Sequence, residues 1–168
     1  MIGSSETALM VKVGMARYKV AAAPARMMTL ALGSCVGIVL HDPVTRIGAL
    51  AHVMHPRRDR VRNNVNRAKF ADTVIDLMLG RMMKQGAEKS RIRAKLFGGA
   101  CMFARIGANR GLPTIGEENV AVSRSELAAR GIPIVAEATG GEKGRMLVFD
   151  VADGSVRVRD AWNNEEVY

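Results

Sequence analysis

Cys35 and His52 are the residues whose types and spacing suit covalent chemistry in this chain. A cysteine sulfur is an intrinsically strong nucleophile, and an imidazole within reach takes and returns protons, so such a pair attacks carbonyl carbon. Cys35 stands in Gly33-Ser34-Cys35, a junction of small residues between the apolar runs Leu30–Leu32 and Val36–Leu40. His52 sits in a third run, Ile47–Met54. Gly33 and Gly37 let the backbone turn sharply or approach another group closely on either side of the sulfur. The same residues have plainer uses. A lone Cys in an apolar run often behaves as a small core hydrophobe, and a lone His on a strand as a satisfied structural group. Spacing alone leaves both uses open.

The elements around them must bring the pair together. β-Branched and aliphatic runs bounded by Gly, Pro and Asp predict strands. A turn at Asp42-Pro43 makes the Cys35 and His52 strands antiparallel neighbours. Shorter strands are expected at Val11–Val13 and Arg17–Val20, after a weakly patterned start at Met1–Leu9, with Ala21–Ala25 as a connector. Arg57–Asn66 reads as a polar, basic loop. Ala71, Ile75, Met78, Leu79 and Met82 recur at helical spacing, predicting a helix from about Arg67 to Gln85, capped by Asn66 and closed by Gly86. Ile92–Phe97 reads as a strand that stops at Gly98-Gly99. After a loop at Asn109–Pro113, Thr114 and Glu117 form a capping-box pattern for a second helix, Ile115–Arg130. Its apolar face is interrupted by Arg124. Ile132–Ala136, Met146–Phe149 and Ser155–Arg159 are the last strand candidates, the final two joined through Asp153-Gly154. This order predicts an α+β fold in one domain spanning 1–168.

Composition narrows the function classes. At 168 residues, with 48% hydrophobic and 24% charged side chains, the chain supports its own core. No run approaches the length of a membrane-spanning helix, and no secretory leader pattern opens the chain, so a cytoplasmic protein with reduced thiols is expected. The net charge of +9 favours acidic partners. Much of it lies in Arg57, Arg58, Arg60, Arg62, Arg67 and Lys69, whereas Asp160, Glu165 and Glu166 leave the end acidic. The basic stretch lacks interleaved aromatics and any nucleic-acid motif, so it reads as a solvated loop. Gly98-Gly99 lacks the Lys-Ser/Thr of a phosphate loop. Cys35, Cys101, His52 and His55 lack zinc-site spacing, and residues three apart on a strand point to opposite faces. Neither a metal nor a cofactor is expected.

Resemblance sharpens the reading. Thr29-Leu30-Ala31-Leu32-Gly33-Ser34-Cys35-Val36, then Gly48-Ala49-Leu50-Ala51-His52-Val53-Met54 with Pro56, resembles the CheD family of chemoreceptor glutamine deamidases. So do Ala94–Ala100, Ile115-Gly116 with Asn119, and Gly140-Gly141 with Arg145. His55, Glu118 and Phe70 depart from the family pattern without removing a catalytic group. The resemblance implies a catalytic set of Cys35, His52 and Thr29, with Thr29 orienting the imidazole. It also implies a layered α/β sandwich like the deamidase domain of cytotoxic necrotizing toxins. The expected reaction is attack of the Cys35 thiolate, held by His52, on a glutamine carboxamide in a chemoreceptor's cytoplasmic helices, protonation of the departing ammonia by His52, then hydrolysis of a thioester to glutamate. Backbone N–H groups near Ser34-Cys35 are candidates for an oxyanion hole, Gly98 and Gly99 for the site wall, and Arg145 for a structural or substrate contact. The phosphatase CheC is an expected regulator. A docking module without turnover is the rival reading, although docking alone needs no nucleophile.

Overall fold

The computed structural model describes residues 8–102 and 111–168. Met1–Thr7 and the first part of the expected Asn109–Pro113 loop lie outside them. The strands run β1 (Leu9–Lys12), β2 (Arg17–Ala22), β3 (Ala25–Leu32), β4 (Val36–Asp42) and β5 (Ile47–Val53). Helix α1 (Ala71–Lys84), β6 (Arg93–Gly98) and α2 (Ile115–Ala129) follow. The chain closes with β7 (Ile134–Thr139), β8 (Arg145–Asp150), β9 (Val156–Asp160) and β10 (Glu165–Val167). They form two mixed sheets, one ordered β1-β3-β8-β9-β10 and the other β2-β5-β4-β6-β7. The expected α+β class and the two main helices are both present.

Alternation along β4 and β5 explains the layering, because successive strand residues face opposite ways. Val36, Ile38 and Leu40, with Ala49, Ala51 and Val53, join one core with Val74, Ile75 and Met78 of α1 and Val120 and Leu127 of α2. Val39 and Leu50 instead join Met27, Leu32, Leu147 and Phe149 of the other sheet. Both faces of the central strands are therefore buried, which is why they read as unbroken apolar runs. A Cβ at Gly48 would lie 2.5 Å from Phe149 Cε1, so the missing side chain admits the ring between the sheets. The layers are helices, sheet, sheet.

Two local differences from the sequence expectation have clear causes. The helical pattern begins at Arg67, but Arg67–Lys69 forms a separate 3-10 turn that Asn66 caps through Ala68 N–H. Phe70 then stays extended (φ −119°, ψ 138°), bridges His55 and is fully buried, so α1 starts only at Ala71. The acidic end is opposed by nearby cations. Glu165 of β10, an added edge strand whose charged sequence carries no apolar alternation, pairs with Arg157 and Arg159 of β9. Elsewhere the capping box at Thr114 and Glu117 is complete. Arg124 leaves the helix face to pair with Glu137 of β7 at 2.9 Å.

Candidate active site

β4 and β5 are antiparallel, with Val36 opposite Val53 and Gly37 opposite His52. Cys35 immediately precedes β4, two residues before Gly37, and packs against the core between the sheets. It is therefore a diagonal cross-strand neighbour of His52 on the same face, a relationship that long side chains bridge. Gly37 lies directly across from His52. A Cβ there would stand 2.6 Å from Leu147 Cδ1 and 3.0 Å from Leu32 Cδ1, so glycine lets the facing sheet close over the pair.

Thr29 comes from that facing sheet. Ala25, Met27 and Thr29 alternate inward along β3, and Thr29 is buried. Its Oγ1 donates to the Val13 carbonyl at 2.7 Å and lies 2.8 Å from His52 Nδ1. A hydroxyl has one proton, so with that proton on Val13 its oxygen accepts from His52 Nδ1–H. The chain of bonds fixes the imidazole tautomer and leaves Nε2 with its lone pair. Nε2 is buried and has no hydrogen-bond partner among the described residues. Beyond Thr29 the register of β3 against β8 shifts before Leu32, and Ala31 adopts a left-handed φ of 58°. That bulge turns the chain out of the sheet toward Gly33-Ser34-Cys35.

The glycine turn after β6 holds the Cys35 backbone. Gly99 N–H donates to Cys35 O at 2.8 Å, and Ala100 N–H to Gly33 O at 2.8 Å. Gly98 has φ 96°, and a Cβ on it would collide with the Cys35 carbonyl. Gly99 has φ 66° and packs against Val120 and Gly116 of α2. Arg145 is half-buried, and its Nη1 donates to Gly98 O at 3.3 Å. The same side chain lines a cavity of about 380 Å³ with Gly141, Asp160, Trp162 and Tyr168. The Ser34 side chain is half-exposed, and the Ser34 carbonyl accepts from Asn119 Nδ2 at 3.0 Å.

The structure thus brings Thr29 and His52 into direct contact, sets Cys35 on their face, and places Gly98 and Gly99 against the Cys35 backbone. Arg145 touches the glycine turn rather than the sulfur. Sequence reasoning named no role for the Val13 carbonyl or the Asn119 amide. Val13 carries no signal, because a backbone acceptor is independent of residue type. Asn119 did carry one, as a polar residue on the buried side of α2.

Burial sets the protonation states. It pushes the Cys35 thiol above its ordinary value, against a smaller lowering by its own backbone N–H. It also pushes His52 down to about 4. Both shifts favour a neutral thiol and a neutral imidazole at rest over the thiolate held by His52 that the resemblance implies. The arrangement suits general-base attack, in which Nε2 takes the thiol proton as the sulfur bonds to carbon. His55, beyond the end of β5, stacks at a tilt near Phe70, 6.0 Å between centroids, instead of joining His52. No cluster of metal-ligating side chains occurs among the described residues. In the basic stretch, Arg58 N–H donates to Asp72 and Arg58 Nε to Asn64 O, while Arg60 pairs with Glu118 at 3.4 Å.

A buried Thr29–His52 pair with a partly buried Cys35 on the same face of packed sheets has the residue types of a cysteine hydrolase, and comparison with known proteins narrows it. The family model for CheD chemotactic sensory transduction matches residues 54–160. A Desulforamulus reducens protein named probable chemoreceptor glutamine deamidase CheD is 46% identical over 149 residues, 89% of either chain. One of the same name from Thermococcus kodakarensis is 45% identical over 157 residues, covering 94% of this chain and 96% of its own. The chain belongs to the CheD family. Among solved structures, a Neisseria meningitidis protein of the DUF152 family shares the fold, with TM-score 0.51 and 13% identity, covering 80% of this chain and 65% of its own.

Proposed function

We propose that the chain deamidates chemoreceptor glutamines with Cys35 as nucleophile, His52 as general base and acid, and Thr29 as orienting residue. Membership of the CheD family makes glutamine deamidation in chemotaxis its activity; the residue roles and the thioester route are derived from the site. The observation that carries them is the Val13–Thr29–His52 hydrogen-bond chain, which leaves His52 Nε2 buried and without a partner among the described residues.

The glutamine carboxamide enters beside Gly33–Cys35. His52 Nε2 takes the Sγ proton while Sγ bonds to the amide carbon, and the carbonyl electrons move onto oxygen. Backbone N–H groups at Ser34-Cys35 hold that oxyanion, the role such donors have in acyl transfer. The imidazolium then returns its proton to nitrogen, the C–N bond breaks and ammonia leaves a thioester. A water gives its proton to Nε2, attacks the thioester carbon and releases Cys35 as thiol, leaving glutamate. Gly98 and Gly99 fix the wall behind the nucleophile, and Arg145 braces that wall from the adjoining cavity. Each turnover converts a neutral amide into a carboxylate on the receptor helix, a change that alters helix–helix electrostatics.

The same reading makes the chain one cytoplasmic domain that works without a cofactor and is regulated by a CheC-type phosphatase. The absence of a helix long and apolar enough to cross a membrane among the described residues is compatible with it. Kinship with the toxin deamidases is supported by the layered α/β architecture alone. The test is mass-spectrometric mapping of Gln-to-Glu conversion in receptor cytoplasmic fragments, with ammonia release measured in parallel. Wild type is expected to convert discrete glutamines and Cys35→Ala none. Full turnover by Cys35→Ala would overturn the mechanism.

A further inference from the structure

Asn119 is fully buried in α2, one turn into the helix. Its Nδ2 donates to Ser34 O at 3.0 Å and to Met54 O at 3.1 Å. Both partners are carbonyls, so the NH₂ end of the amide must face them. Ser34 precedes the nucleophile and Met54 follows the His52 strand, so one side chain ties together the two segments that carry the reacting groups. Its Oδ1 is buried without a partner among the described residues. An orphaned buried acceptor costs stability, so a residue selected only to hold layers together would be expected to satisfy both ends.

The consequence lies in the peptide plane between Ser34 and Cys35. Among the described residues the cis bond is at Ala23-Pro24, so this peptide is trans. In a planar trans peptide the carbonyl and the following N–H point in opposite directions. Holding Ser34 O toward α2 therefore aims Cys35 N–H away from α2. The next carbonyl, Cys35 O, is held separately by Gly99 N–H at 2.8 Å. With both flanking carbonyls anchored, the Cys35 N–H has one available orientation.

We infer that Asn119 is a positioning residue for deamidation: by binding the Ser34 and Met54 carbonyls it aims the Cys35 N–H at the oxyanion and fixes the nucleophile turn against the histidine strand. This rests on Cys35 as nucleophile. Donors prearranged for an oxyanion act in the transition state and contribute little to ground-state binding. Loss of Asn119 therefore lowers kcat and spares KM.

The experiment measures receptor-fragment deamidation and the pH dependence of Cys35 alkylation in wild type, Asn119→Ala, Asn119→Asp, Ser123→Ala and Cys35→Ala. Asn119→Ala is expected to lose about ten- to a hundredfold in kcat with KM within about twofold, a part of what removing an oxyanion donor outright costs. Its Cys35 alkylation should shift to higher pH, since the N–H beside the sulfur is no longer held. Ser123→Ala removes the buried Ser123 Oγ bond to Asn119 O in the same helix turn but touches neither carbonyl, and should keep wild-type kcat. Asn119→Asp turns a carboxylate onto two carbonyl oxygens. Its kcat relative to wild type should recover from about pH 8 to about pH 5, as the acid form regains a donor. Wild-type kcat in Asn119→Ala, or equal losses in Asn119→Ala and Ser123→Ala, overturns the inference. Where Asn119→Ala does not fold, Asn119→Asp decides: a flat ratio across pH, or failure to fold at every pH, makes the residue merely structural. Turnover in Cys35→Ala would instead overturn the nucleophile assignment, whatever the Asn119 variants do.

Discussion

Replacing His52 with Asn tests the buried neutral imidazole by its effect on stability. An Asn amide nitrogen stands where Nδ1 stands and can keep the bond to Thr29 Oγ1, while the titrating Nε2 disappears. In the folded chain His52 is held down at about 4, from an ordinary value of 6.5, by burial. Between those values the unfolded state binds the proton and the folded state does not. Stability contributed by the neutral form is therefore fully present above about pH 7 and is lost as pH falls toward 4, below which both states are charged. The shift of about 2.5 units at ~1.36 kcal/mol per unit is worth ~3 kcal/mol, of which about 2 kcal/mol is gone by pH 5. Urea unfolding of wild type and His52→Asn at about pH 8 and about pH 5 measures it. His41 and His55 are also held down by burial, but they occur in both proteins and cancel in the difference. Wild type should lose about 2 kcal/mol more than the variant on acidification. Equal losses would mean that His52 titrates normally and is not a neutral base in a dry site.

Thr29→Val keeps the shape but removes both the donor to Val13 and the acceptor for His52. It should cost about 1–3 kcal/mol in stability and lower kcat by at least about tenfold, because the competent tautomer is no longer selected; unchanged turnover in the folded variant would remove Thr29 from the site. Gly98→Ala puts a Cβ into the Cys35 carbonyl at φ 96°, so kcat should fall while the remainder of the fold survives, and full turnover would show that the glycine turn does not fix the nucleophile. Cys35 should alkylate at pH no lower than the ~8.5 of a free thiol, because burial raises its pKa and the facing imidazole is neutral. Rapid alkylation near neutral pH would instead reveal a preformed ion pair.

Much of the fold was legible because the sequence states its periods plainly. The twice-buried strands β4 and β5 announce themselves as apolar runs, and Thr114 with Glu117 marks the start of α2 by a bond pattern that the structure completes. The start of α1 was not legible, since Phe70 fits the helical stripe but is drawn into extended backbone beside His55. β10 was invisible because its Glu165 and Glu166 serve as an exposed charged edge, pairing with arginines rather than burying apolar area. In the site, Cys35 and His52 follow from residue type and from the turn between their strands. Thr29 does not: as one strand hydroxyl among others it is singled out by the family resemblance alone, because its contact with His52 is made from the other sheet, beyond the reach of local pattern.

That division has a physical basis in how the site is assembled. Cys35 and His52 share a hairpin, so local sequence sets their relationship. Thr29 reaches His52 across the space between sheets, and Asn119 reaches Ser34 from the opposite layer, so their roles depend on layer spacing. Gly37, Gly48 and Gly99 set that spacing by leaving out side chains where Leu147, Phe149 and Val120 come close. The cost of such a site is a desolvated thiol and imidazole, each pushed toward neutrality. A neutral Thr29 restores less of the imidazole's basicity than a carboxylate would. In the proposed mechanism His52 is then a weak base for taking the thiol proton but, once protonated, a strong acid for delivering it to a departing amide nitrogen. Amide C–N cleavage needs that proton, because the free amide anion is a very poor leaving group. In that mechanism a desolvated imidazole bonded to a hydroxyl favours expulsion of ammonia, and it keeps the resting sulfur in the less reactive thiol form until a carboxamide is in place.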